Sequence, residues 1–165
     1  MRVRLIRWLL PGALVVVLGV GAAMAATTMT RSGSATVQTA KSSKYGTVLV
    51  NSHGRTLYRY TPDRKGVSTC KGACAKYWPA LVVKGTVKPT AGGGAKTSLL
   101  GTITRAPGVR QVTYAGFPLY TYAGDSKAGD VKGEGFEKTW YVVDAKGDMV
   151  KKAVSGSGGR SGGWG

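Results

Sequence analysis

At 165 residues the chain has room for one ordinary domain, which excludes a multidomain enzyme. Lys and Arg outnumber Asp and Glu 24 to 7, giving a formal net charge of +17. Seven acids and a single His leave few groups for general acid–base catalysis, so the composition argues against an enzyme.

Chain order begins with an export signal. Arg2, Arg4 and Arg7 form a positive start, residues 8–20 are almost wholly apolar, and Ala23-Met24-Ala25 supplies an A-x-A cleavage pattern. Residues 1–25 are therefore read as a signal peptide. If it stays uncleaved, the run is near the minimum length that spans a bilayer, and membrane attachment depends on that alone. No Cys lies near the cleavage site, so lipid attachment through an N-terminal Cys is not expected.

Without the three signal arginines, 21 basic and 7 acidic side chains leave a net charge of +14. Outside the cytoplasm the abundant polyanions are cell-envelope polymers and lipid headgroups, which become the expected partners. The cations are scattered, as at Lys65, Lys84, Lys96, Lys127 and Lys151, whereas a nucleic-acid binder concentrates them on one patch. Nucleic acid is not expected. The expected location is extracytoplasmic, in association with the envelope.

Residues 26–43, rich in Ser, Thr and Ala, read as a flexible spacer, with room for a first strand near residues 35–39. Residues 154–165 form a Gly/Ser-rich tail that cannot bury a core. The folded unit expected between them is 44–153.

That unit contains a duplication. Shifting the sequence by 62 residues aligns 46–85 with 108–147 without a gap and matches twelve pairs, among them Gly54/Gly116, Tyr58/Tyr120, Tyr60/Tyr122, Asp63/Asp125 and Trp78/Trp140. Two copies are too few for an array, so a compact domain of two pseudo-symmetric halves follows. Each copy predicts a hairpin: 47–50 and 56–61 flank a turn at Gly54, and 110–114 and 117–122 flank one at Gly116. Further strands are expected at 99–105, 140–144 and 148–151. One short helix is expected around Lys71–Tyr77, stopped by Pro79. Residues 86–98 read as a long flexible loop. The fold class is all-β and mainly antiparallel.

The repeated element is Y-x-Y-x-x-D: Tyr58, Tyr60 and Asp63, then Tyr120, Tyr122 and Asp125. On a strand, residues i and i+2 share a face, so each copy sets two phenols side by side. The Tyr face is expected to point to the core, with the Asp capping a turn or accepting from a Tyr hydroxyl. The six residues are also the candidate ligand site, as an aromatic-acid pocket. Trp78 and Trp140, each 15 residues after a motif Asp, are expected as equivalent core plugs.

These elements resemble the bacterial secreted or lipoprotein repeat family named for the Y-x-[FWY]-x-x-D motif. The resemblance lies in the run from Gly54 to Tyr60, the segment from Cys70 to Pro79, and the run from Gln111 to Asp125. It covers nearly the whole folded unit and implies an envelope-located, non-enzymatic protein. The chain departs from that pattern in lacking the Cys that carries the lipid.

Cys70 and Cys74 occur in the first copy alone, opposite Lys132 and Phe136. In an exported protein a disulfide is the default, and Gly72 eases the turn it needs. The alternative is a copper-binding or thiol-redox site built from Cys70, Cys74 and His53, because soft thiolates suit copper. The expected function is a non-catalytic binding or structural role at the envelope, without a cofactor. The rival is that copper or redox protein.

Overall fold

The computed structural model describes residues 36–154. The signal segment and most of the Gly/Ser tail lie outside the described residues.

The first repeat opens with β1 (Val37–Ser42) and β2 (Gly46–Asn51), an antiparallel hairpin in which Val37 faces Asn51 and Ser42 faces Gly46. The motif strand β3 (Tyr58–Tyr60) follows, then the helix α1 (Ala73–Tyr77) and β4 (Val82–Lys84). The second repeat restates the hairpin as β5 (Leu100–Ala106) and β6 (Val109–Tyr114), adds the short β7 (Phe117–Pro118), and ends with β8 (Trp140–Val142). Single 3-10 turns occupy Thr97–Leu99 and Phe136–Lys138. The all-β, mainly antiparallel expectation holds, and α1 falls where Gly72 and Pro79 bound a possible helix.

Three expectations need correction. The spacer 26–43 ends in β1, the strand expected near 35–39 but running on to Ser42, with Val37 fully buried against the hairpin. The folded unit thus begins one strand before residue 44. The loop 86–98 is tied down along β1: Val37 N–H donates to the Thr90 carbonyl at 3.0 Å, Gly92 N–H to the Val37 carbonyl at 2.9 Å, and the Thr39 hydroxyl to the Gly93 carbonyl. Backbone groups satisfied this way do not behave as a free linker. The third correction concerns the motif strand, which buries both faces.

Alternation along these strands feeds two separate cores. Tyr58, Tyr120, Trp78, Trp140, Val48, Val50 and Val142 pack in one, together with Cys70. Leu57, Leu119, Leu49, Val112, Tyr114 and Val143 pack in the other. The motif strands run between the two clusters. Tyr58 points one way and Leu57 the other, and both are fully buried. Even Arg59 is drawn in, with its guanidinium over the Phe117 ring at 3.4 Å and Nη1 donating to the Gly147 carbonyl at 2.6 Å.

The repeats do not pack as two independent hairpin units. β3 pairs with β8 of the other repeat, Tyr58 opposite Val142 and Tyr60 opposite Trp140. Residues 120–123 pair in the same way with 77–80 of the first repeat, through Thr121 N–H to the Pro79 carbonyl and Ala123 N–H to the Tyr77 carbonyl. The motif strands also meet each other. Tyr58 and Tyr120 exchange both backbone hydrogen bonds, at 2.9 and 3.1 Å, on the pseudo-twofold axis. Each half completes the other's ladder, so neither copy's strands are fully paired without the other.

Candidate functional site

The six motif residues converge around that axis, as the sequence suggested, but each carboxylate serves the opposite repeat. The Tyr58 hydroxyl donates to Asp125 Oδ2 at 2.7 Å, and the Tyr120 hydroxyl donates to Asp63 Oδ2 at 2.6 Å. The remaining carboxylate oxygens are also taken. Asp125 Oδ1 accepts from Lys132 N–H at 2.9 Å, and Asp63 Oδ1 accepts from the Thr69 amide and hydroxyl at 2.7 Å. Asp63 and Asp125 therefore bind phenols rather than sharing a proton with each other.

Burial and these carboxylates together hold both phenols protonated, since desolvation opposes the phenolate and Asp125 or Asp63 repels it. Asp125 itself is pushed upward by burial, against the lowering pull of Tyr58 and the Lys132 amide. Glu134 is raised for the same first cause while its Oε2 accepts from Val142 N–H at 2.6 Å.

Between the two phenol–carboxylate pairs runs a column of four rings. Tyr60 stacks on Trp140 at 4.3 Å, Trp140 on Trp78 at 3.8 Å with planes 1° apart, and Trp78 on Tyr122 at 4.4 Å. Tyr58 meets Trp78 edge-on at 5.3 Å, and Tyr120 meets Trp140 the same way at 5.2 Å. Both Trp side chains are buried, so they are the core plugs their spacing predicted. Gly133 has no side chain for a packing reason: a Cβ there would lie 2.7 Å from the Trp78 ring and 3.0 Å from Tyr58. The candidate aromatic-acid pocket is thus filled by its own side chains. Tyr60 and Tyr122, at the two ends of the column, are its half-buried members.

Cys70 and Cys74 form a disulfide with Cα atoms 5.3 Å apart, linking the start of α1 to the aromatic core. His53 does not join them. It sits at the exposed β2–β3 turn beside Ser52, and no three His, Cys, Asp or Glu side chains among the described residues gather as a metal-ligand group. The donor set required for the copper alternative is not assembled. Phe136, at the position equivalent to Cys74, packs on Trp78 and Tyr122. One repeat closes its end of the column with an aromatic ring where the other places a disulfide.

Sequence reasoning missed Arg55 and Lys127. Together with His53 they line a surface cavity of about 540 Å³ on the first-repeat turn. The available signal was asymmetry, since His53 and Arg55 face Ala115 and Phe117 across the 62-residue shift.

Two interlocked copies of a β-hairpin and motif strand, joined through a shared aromatic core, define a duplicated all-β repeat protein. Residues 39–82 and 101–144 each match the family Lipoprotein_15, described as a secreted repeat of unknown function, and the chain belongs to it. The matched segments lie 62 residues apart, the spacing of the internal duplication, and each begins within the first hairpin strand of its copy. No curated protein and no solved structure matches the chain.

Proposed function

We propose that this secreted protein has a non-catalytic role and holds anionic polymers of the cell envelope against its cationic surface. The observation that carries this reading is how differently the two signs of charge are used. Asp63 and Asp125 are spent on buried phenols and Glu134 on the Val142 amide. Asp130 is spent on the Ser126 and Lys127 amides, and Asp144 on those of Lys146 and Asp148. These five acids serve turns and core. Lys and Arg, by contrast, occur on β1, β3, α1, β4, β5 and β6 and in the turns between elements, and the one ion pair among the described residues joins Lys132 to Asp130 at 3.4 Å.

A surface with many unneutralised cations attracts a flexible polyanion by releasing its counterions. Distribution over many elements suits a polymer that wraps the domain better than a flat membrane, which engages one face. A non-catalytic role is supported by the same inventory, because five of the seven acids are committed to hydrogen bonds and the sole His has a serine for its side-chain partner.

The test is binding of the chain from Ala26 onward to polyphosphate, to a neutral polysaccharide and to vesicles containing phosphatidylglycerol, at several salt concentrations. Expected is polyphosphate binding whose affinity falls steeply with salt, and none to the neutral polymer. Tighter binding to vesicles than to polyphosphate would replace the polymer with a membrane surface. Binding to neither overturns the proposal.

A further inference from the structure

The groove beside His53 is where the two repeats cease to match chemically while continuing to match in shape. Asn51, His53, Arg55, Thr121, Ser126 and Lys127 line the cavity of about 540 Å³. A neighbouring cavity of about 420 Å³ shares Asn51, His53 and Thr121. The pseudo-twofold relation carries this place onto a cavity of about 400 Å³ lined by Lys65, Thr113 and Ala115. There Lys65 stands for Lys127 and Thr113 for Asn51, but Ala115 stands for His53 and Phe117 for Arg55. The duplication keeps the hollow and changes its donors.

The second hollow seats its guanidinium on a ring and a carbonyl, with Arg59 Nε buried without an acceptor. Phe117 lies beneath the Arg59 guanidinium at 3.4 Å, with Lys65 Nζ 5.9 Å from the same ring. In the first hollow the Arg55 guanidinium makes one hydrogen bond, from Nη1 to the Ser126 carbonyl at 2.9 Å, and its Nε is likewise buried without an acceptor. No carboxylate lines the cavity. Asp125, whose proton affinity the Arg55 charge lowers, has its oxygens on Tyr58 and the Lys132 amide. Asp130 Oδ2 is held by the Ser126 and Lys127 amides. His53 Nδ1 lies 3.3 Å from Ser52 Oγ, which leaves Nε2 as the ring's other donor site. A guanidinium, an ammonium and an imidazole therefore line one hollow whose walls include no carboxylate. A planar guanidinium fork beside a point-charge ammonium suits tetrahedral oxyanions.

We infer that this hollow is an oxyanion seat that takes a phosphate group between Arg55, Lys127 and His53. The inference rests on the polyanion reading and sharpens it by naming where one phosphate of the polymer sits; free phosphate has the same chemistry.

Because the chain has one His, a single imidazole signal reports on the seat. The chain from Ala26 onward, labelled at His, is titrated at fixed pH and ionic strength with inorganic phosphate and separately with polyphosphate, with chloride as the balancing anion. Expected is a saturable shift of the His53 signal with either ligand, at least tenfold weaker in Arg55→Gln and in Lys127→Ala, and unchanged in Lys65→Ala. Lys127 is exposed, so its variant keeps the test valid if Arg55→Gln folds poorly. A shift with polyphosphate alone makes the polymer the source of the phosphate. A shift equally strong in both seat variants, or none while polyphosphate still binds, overturns the seat and leaves the general reading standing. Failure of polyphosphate to bind at all overturns both.

Discussion

The Tyr58 hydroxyl reaches across the pseudo-twofold axis to Asp125, 2.7 Å away and 67 residues later in the chain. Its mirror, Tyr120 to Asp63 at 2.6 Å, closes the exchange, so neither repeat holds the acid its own tyrosine needs.

Removing one hydroxyl therefore destabilises both repeats together. Tyr58→Phe leaves Asp125 buried with one donor fewer, a loss of about 1.5–3 kcal/mol for a hydrogen bond to a charged group. Tyr120→Phe should cost less, because Thr69 still serves Asp63 with both its amide and its hydroxyl. Urea unfolding followed by fluorescence and by far-UV dichroism should give one coincident transition in the parent and in both variants. Two separable transitions would show that the repeats fold independently.

The stacked pair Trp78 and Trp140 should be equally sensitive. Each touches the other, one motif Tyr by stacking and one by its edge. Replacing either by Ala removes a large buried side chain at a cost of about 3–5 kcal/mol. Comparable losses from the two variants in urea unfolding are expected from the symmetry. A loss confined to one would mean that only half of the column is well packed.

Acid–base behaviour follows from the two buried carboxyls. Burial raises Asp125 and Glu134 above their ordinary values, so in the window just above the usual carboxylate range the folded state holds protons that the unfolded chain releases. Their contribution is fully present below the unfolded values and is lost as pH rises through the folded ones. Glu134→Gln keeps an acceptor for Val142 N–H and should flatten that fall when stability is measured from pH 3 to 8. The raised phenols act likewise at high pH. Tyr58 and Tyr120 should stay protonated in a spectrophotometric titration until the protein unfolds.

The disulfide closes a loop of a few residues, for which chain entropy gives about 2 kcal/mol. A thiol assay on the native protein should find no free Cys. Cys70→Ala/Cys74→Ala should lower stability by at least that amount, since Cys70 is buried in the aromatic core, and keep the fold, because α1 itself buries no residue. Complete unfolding of that variant would mean the bridge is required for the core to form.

Much of this architecture is legible along the chain because it is local. Gly54 and Gly116 were expected at positions requiring positive φ and adopt 74° and 85°. The strands around them follow from β-branched and aromatic runs. What the sequence obscures is non-local. The motif strand alternates Tyr with Leu, Arg and Thr, which reads as one buried and one exposed face; a second cluster covering Leu57 and Leu119 makes both faces internal. The full extent of β1 was hidden because Lys41 and Ser42 are polar, and its partners along β2 and residues 90–93 lie beyond any local window. At Phe136–Lys138 the backbone turns through Glu137 and Lys138 at φ 49° and 57°, a conformation neither residue type announces.

By itself the sequence determined that the chain is a duplicated β protein, because identical residues at a fixed 62-residue spacing and hairpin turns need no tertiary information. It also determined the chemical kinds of residue at the centre: two phenol pairs, two acids, two indoles. Only the tertiary structure decided how they pair. A Tyr near an Asp in sequence says nothing about which Asp it meets, and here the pseudo-twofold axis gives each Tyr the other repeat's Asp. The same packing decided that His53 stands with Arg55 and Lys127 rather than with the cysteines, since residues 53 and 127 come together through the turn contacts of Gly54 with residues 128 and 129.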